Sequence, residues 1–185
     1  MASGRAHDRA TGLLALPFAL LWGPWLGWAG VAWAGLGFLL GGLLLSPDLD
    51  TRSNPTRRWG PLRLLWWPYR RCLRHRSLLS HSPLLGPAGR LAYLAGGTLV
   101  VAAALQVLGL PALAWIRQGA SGLWQEQRLL VISGLAGIEA SSWLHLLQDG
   151  DPMPRLPRLL RRRARRRSRA RGRSGGRWMG RPGCR

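Results

Sequence analysis

Residues 10–47 read "ATGLLALPFALLWGPWLGWAGVAWAGLGFLLGGLLLSP", 38 residues between Arg9 and Asp48 without a single charge. As one helix the run would be about 57 Å long, nearly twice the roughly 30 Å of a bilayer's hydrocarbon layer. Half of it, about 19 residues, matches that thickness. "WGPWLG" at 22–27 supplies the Gly and Pro for a turn near the midpoint. The run therefore predicts a helical hairpin, Thr11 to about Trp22 and about Trp25 to Ser46, with a re-entrant loop as the alternative for the short first arm. Either version returns the chain to its starting side.

Two more apolar runs follow. Leu91 to Ile116 carries no charge, and Leu129 to about Leu147 carries only Glu139. Water-soluble core helices of the first and third lengths would need cover on every side, which a 185-residue chain can hardly provide. The expected fold is an all-α integral membrane protein with about four transmembrane helices. An interfacial helix is expected between the second and third spans. Residues 1–150 form the membrane domain, and 151–185 form a disordered Arg-rich tail. Gly30, Ala34, Gly37 and Gly41, three and four residues apart in the second span, make a smooth stripe for close helix packing.

Charge sets the orientation. All 27 basic residues are arginines: 2 precede the first span, 9 lie in 48–90, 2 in 117–128 and 14 from Arg155 onward. With four spans, 25 of them share one side, which the positive-inside rule makes cytoplasmic. The expected location is the bacterial inner membrane, multi-pass, with both termini in the cytoplasm. "AWA" at 32–34 resembles a signal-peptidase site, but the apolar run before it is too long, and cleavage there would discard His7.

That topology gathers the polar residues. His7 and Asp8 precede span one, Asp48 and Asp50 follow span two, His75 and His81 precede span three, and His145 and Asp149 end span four. Pro47 should end the second span, and in the extended chain after it Asp48 and Asp50 would point the same way. His145 and Asp149, four apart, share a helical face. His75 and His81 converge only if the helix breaks between them, and "SHSP" offers Ser82 as N-cap and Pro83 as first residue of span three. For any one histidine, ordinary helix-end decoration suffices as an explanation. Four histidines together with unpaired acids at a bilayer face point to a divalent metal ion, and the mixed nitrogen and oxygen set suits zinc, manganese or iron, with room for two ions. Glu139, about 9 Å deeper than His145, reads as a residue that pairs within the bundle or protonates.

"SGRAHD", "SPDLD", "LRHRSLLSHSP" and "SSWLHLLQD" occur here in that order. In them the chain resembles a bacterial family of uncharacterised metal-binding membrane proteins over roughly residues 3–150. More distantly it is similar to LexA-regulated inner-membrane proteins described as metal-dependent hydrolases, which carry His-Arg-Gly-x-Thr-His-Ser and a later His-x-x-x-Asp. The resemblance implies metal-ligand roles for His7, Asp48, Asp50, His75, His81, His145 and Asp149. It implies catalytic roles for Asp149 and for Arg76 as an anion partner. Against the hydrolases, Ser77 stands where their motif has Gly, and one extra residue separates the two histidines.

Two functions from different classes follow. One is a metal-dependent hydrolase at the cytoplasmic membrane surface, acting on a lipid or lipid-linked phosphoester, with Arg76 or Arg5 holding the anion. The other is a non-catalytic membrane anchor whose tail, 14 arginines in 31 residues without an acid, binds anionic lipid headgroups in preference to nucleic acid. A transporter ranks below both, since one intramembrane acid is sparse for that role. "RRWGPLRLLWWPYRRCLRHR" reads as an interfacial stretch with Trp59, Trp66, Trp67 and Tyr69 at headgroup level. Cys72 and Cys184 make no disulfide framework or zinc knuckle.

Overall fold

The computed structural model describes residues 3–51, 53–73 and 77–150, and among these every regular element is a helix. The tail from 151 onward, His75 and Arg76 lie outside the described residues.

Helix α1 (Gly4–Leu20) opens on Ser3, whose hydroxyl accepts the Ala6 N–H at 3.3 Å. The chain turns through Leu21 and Trp22 into α2 (Gly23–Leu43), with Pro24 in its first turn and a kink at Gly27. This is the hairpin expected at "WGPWLG", with the reversal spread over residues 21–27. α2 then crosses α7 (Ala112–Gln148) through its small-residue stripe. A methyl group on Gly37 would run into the backbone of Gly134, and one on Gly137 into the backbone of Ala34 and Phe38. Backbone thus lies directly on backbone, which only glycine permits at both positions.

Between α2 and α6 the chain folds in short pieces. A 3₁₀ turn (Pro47–Asp50) leads to α3 (Asn54–Arg58), a second 3₁₀ stretch (Gly60–Leu65), α4 (Trp66–Cys72) and the single-turn α5 (Leu78–His81). The expected interfacial helix is broken by Pro61 and Pro68, and its aromatics are not all at the surface. Trp66 is 0% exposed and Tyr69 is buried, both packed with Leu45, Leu49 and Ile138. Trp66 meets Trp59 and Tyr69 edge-on, at centroid distances of 5.3 Å each. Trp59 donates its indole N–H to the Leu44 carbonyl at 3.0 Å, tying the segment to the end of α2. Trp67 alone of the four stands mostly exposed.

The third apolar run is corrected at both ends. Helix α6 (Leu85–Val107) starts two residues after Pro83, because Ser82 is extended, Pro83 and Leu84 form a turn, and Leu84 takes a positive φ of 63°. It stops before Gly109, whose φ of 86° and the following Leu110-Pro111 end any helix. Trp115 and Ile116 therefore open α7, which continues through Arg117 and Glu126 and bends at Gln127.

Against the expected four spans, the described residues hold three helices long and apolar enough to cross a membrane: α2, α6 and α7. α1 is not among them, since its 17 residues carry Arg5, Asp8 and Arg9 in the first two turns. The outer surface of the bundle is apolar, with Trp28 81% and Val107 87% exposed, while serines, histidines and an arginine fill the interior.

Candidate metal centre

The polar interior collects at one end of the bundle, where the start of α1, the end of α2, the start of α6 and the end of α7 come together. Arg58 of α3 fastens the hairpin there. Its guanidinium donates to Asp8 Oδ1 at 3.0 Å and to the Leu43 carbonyl at 3.1 Å. Asp8 is thereby occupied as a structural partner.

One residue before it, His7 projects inward and stacks on His145, ring centroids 4.0 Å apart and planes 23° from parallel. His7 Nε2 lies 3.3 Å from Asp149 Oδ1. His145 Nε2 lies 3.5 Å from Asp149 Oδ2 and 3.5 Å from Asp48 Oδ1. Ligand atoms of His7, His145 and Asp149 all fall within 4.8 Å of one another. Two donor atoms that share one divalent ion at about 2.0–2.2 Å stand roughly 3.0–3.5 Å apart in tetrahedral or octahedral geometry. The observed separations match that range. They are long for hydrogen bonds, and His145 Nε2 makes none among the described residues although it is buried. The other ring nitrogen, Nδ1, faces the Ser46 hydroxyl at 3.4 Å, which fixes Nε2 as the nitrogen turned to the carboxylates.

Asp48 and Asp50 do not point the same way. Ser46 caps the turn, its hydroxyl accepting the Asp48 N–H at 3.4 Å, and Pro47 starts a 3₁₀ helix where an extended chain is expected. At about 120° per residue, positions two apart diverge by about 240°. Asp48 accordingly faces His145, and Asp50 faces His81, with Asp50 Oδ2 3.5 Å from His81 Nδ1. The Ser80 hydroxyl lies 3.1 Å from the same Nδ1. The charges of His145, His81 and His7 all act on the Asp48 carboxylate.

Sequence reasoning missed Arg90. It reads there as the last charge of a polar segment, but it is 0% exposed in the second turn of α6. The helix-start signal of Ser82-Pro83 already places it more than a turn inside. Nearby, burial raises the Tyr69 phenol above its ordinary value, with Arg90 opposing the rise and Asp50 adding to it, so the hydroxyl stays protonated. Glu139 pairs within the bundle, as one of its two expected readings has it: Oε1 accepts the Leu84 N–H at 2.9 Å and so holds the positive-φ residue that opens α6. Cys72 is exposed on α4.

Beside this end, α1, α2 and α7 enclose an open apolar cavity of about 720 Å³, lined by Leu14, Phe18, Phe38, Trp143 and Leu147 with Glu139 as its one acid.

Comparison with known proteins follows the same lines. The sequence profile of a family described as "Uncharacterized metal-binding protein (DUF2227)" matches residues 2–157. An "Uncharacterized protein" of Aquifex aeolicus (strain VF5) is 48% identical over 61 residues, 32% of this chain, and the aligned region spans 43% of that relative's length. No solved structure matches.

Proposed function

The chain belongs to the DUF2227 family of metal-binding proteins, and from that premise we propose that it is a metal-dependent hydrolase of the bacterial inner membrane, acting on a lipid or lipid-linked phosphoester. The observation that carries the reading is the group His7, His145 and Asp149, whose ligand atoms lie within 4.8 Å of one another, with Asp48 Oδ1 3.5 Å from His145 Nε2. A mixed imidazole and carboxylate set of this kind suits zinc, manganese or iron. When bound, such an ion supplies a Lewis acid and a water made acidic near neutral pH.

The chain's own residues do the rest. His7 and His145 hold their Nε2 atoms toward the acids by stacking and by the Ser46 hydroxyl. Asp149 sits against both imidazoles, and its carboxylate is the proposed acceptor of a proton from water. Were a second ion bound, Asp48, on which the charge of His81 also acts, and His81 would be the residues to hold it. Arg76 and Arg5 are the proposed partners for a substrate phosphate. The apolar cavity beside the site favours a substrate with an acyl or polyprenyl chain.

In this reading α6 and α7 cross the bilayer as one hairpin, α1 and α2 enter it from the same side as another, and the His/Asp end faces the cytoplasm with both termini. Support comes from the spanning-grade length of the three helices and from the arginine distribution. The arginine tail then contacts anionic headgroups on the same side.

The test is hydrolysis of phosphodiester and phospholipid substrates in mixed micelles by detergent-purified protein with added zinc or manganese. Activity that disappears in Asp149→Asn and His145→Ala is expected. No turnover with either metal, or equal turnover in the variants, would contradict catalysis.

A further inference from the structure

We infer that the segment Gly60–Cys72 is a binding surface for anionic phospholipid of the adjacent leaflet. Leu62, Leu64, Leu65 and Trp67 enter the acyl boundary, and Arg63, Arg70 and Arg71 take the headgroup phosphate. The inference rests on the membrane placement above and is independent of the metal centre.

The structure exchanges most of the residues that the sequence puts at headgroup level. Trp66 and Tyr69 turn into the core, and Trp59 packs against them. What faces outward instead is Leu62, Leu64, Leu65 and Trp67, with Leu64 72% exposed. Residues 60–65 are exposed without interruption. In the 3₁₀ stretch Leu62 and Leu65, three apart, share a face. In α4, Trp66 and Tyr69 take the inner face, and Trp67 and Arg71, four apart, share the outer one. Arg71 Cζ lies 4.8 Å from the centre of the Trp67 ring. A row of large apolar side chains held outward by a buried anchor is costly to leave in water and marks a surface with a partner.

Depth and charge identify that partner. The segment is tied at one end by the Trp59 indole to the Leu44 carbonyl at the end of α2. At the other, the Tyr93 hydroxyl donates to the Leu65 carbonyl. Tyr93 is eight residues past Leu85, about 12 Å along α6. Leu65 therefore lies against the flank of α6 and not beyond its end, which sets the outward leucines at the level where headgroups give way to acyl chains. Between α4 and α6 an apolar cavity of about 290 Å³, lined by Tyr69, Cys72, Leu73, Gly89 and Tyr93, offers room for part of an acyl chain. Arg63, Arg70 and Arg71 form no ion pair among the described residues. No Asp or Glu occurs between Asp50 and Glu126. Unneutralised guanidinium groups interleaved with exposed leucines complement a lipid whose headgroup carries net negative charge.

The experiment attaches an environment-sensitive fluorophore to Leu64→Cys in a Cys72→Ser, Cys184→Ser background of the full chain, reconstituted in phosphatidylcholine bilayers. Quenching by brominated phosphatidylglycerol is compared with quenching by brominated phosphatidylcholine at equal mole fraction. Phosphatidylglycerol should associate beside the label at least about 5-fold more strongly, the factor that one arginine near the membrane surface supplies. Arg63→Gln, Arg70→Gln and Arg71→Gln together should bring the two lipids to parity. Deletion of residues 155–185, whose arginines attract the same lipids, should leave the preference in place. Equal quenching by the two lipids, or a preference that vanishes with the tail and survives the triple change, would overturn the inference. Val100→Cys, exposed on α6, carries the same label as the control for membrane placement. Quenching there and none at position 64 would overturn this inference alone, the surface then being covered by protein such as a second copy. No quenching at either position would overturn the membrane placement and this inference with it.

Discussion

The two imidazole groups at the polar end use the same residue types and are wired differently. In the His7–His145–Asp149–Asp48 group the carboxylates approach Nε2 atoms, and His145 Nε2 makes no hydrogen bond among the described residues. In the His81–Asp50 group the carboxylate approaches Nδ1, a nitrogen already 3.1 Å from the Ser80 hydroxyl. The first arrangement gathers donor atoms at the spacing of ligands around one ion. The second orients a ring by its back nitrogen, as metal-ligating histidines are commonly oriented. Like composition thus gives a candidate ligand set in one place and, in the other, a ring approached at its back nitrogen. Which nitrogen meets the carboxylate decides between them.

The sharpest way to break this contrast is His145→Ala. Removing a shared Nε2 donor should lower metal affinity at least about 100-fold, read by elemental analysis of protein dialysed against buffered zinc. Retained stoichiometric zinc would remove His145 from the ligand set. Next in size, Gly137→Val should destabilise the α2–α7 crossing by about 1–3 kcal/mol, seen as a lower thermal midpoint in detergent. An unchanged midpoint would mean that the helices can part without cost.

Asp50→Asn sharpens the contrast directly. If Asp50 orients His81 from behind, the amide should weaken metal binding about 10-fold without abolishing it. Complete loss would instead make Asp50 a ligand in its own right. Smallest of all, Glu139→Ala should cost about 1 kcal/mol of stability through the lost acceptor for Leu84, with zinc content unchanged. A fall in zinc content would give Glu139 a part in the site.

Much of this was legible in the sequence. A folded-back chain brings His7, Asp48, His145 and Asp149 to one end, and the uncharged run with Gly and Pro at its centre dictates the fold-back. The glycine stripe was legible too, because small residues at three- and four-residue spacing have one physical use. Other features depend on packing that no local pattern encodes. Asp48 and Asp50 diverge because Ser46 and Pro47 nucleate a 3₁₀ turn, whereas an extended chain would align them. Trp66 looked like a headgroup anchor, and it is buried because the 3₁₀ turn and α7 present Leu49 and Ile138 to it. In the sequence Arg90 is only one of nine arginines in residues 48–90. Its burial needs α5 and α7 to close over it, from 10 and 52 residues away in sequence.

The central claim is that His7 and His145 share one ion through their Nε2 atoms, and X-ray absorption on the zinc-loaded full chain tests it most directly. The account predicts nitrogen and oxygen neighbours near about 2.0–2.1 Å with the outer scattering of at least two imidazoles, falling by one imidazole in His7→Ala. A zinc environment without imidazole, or one that His7→Ala leaves unchanged, would contradict it.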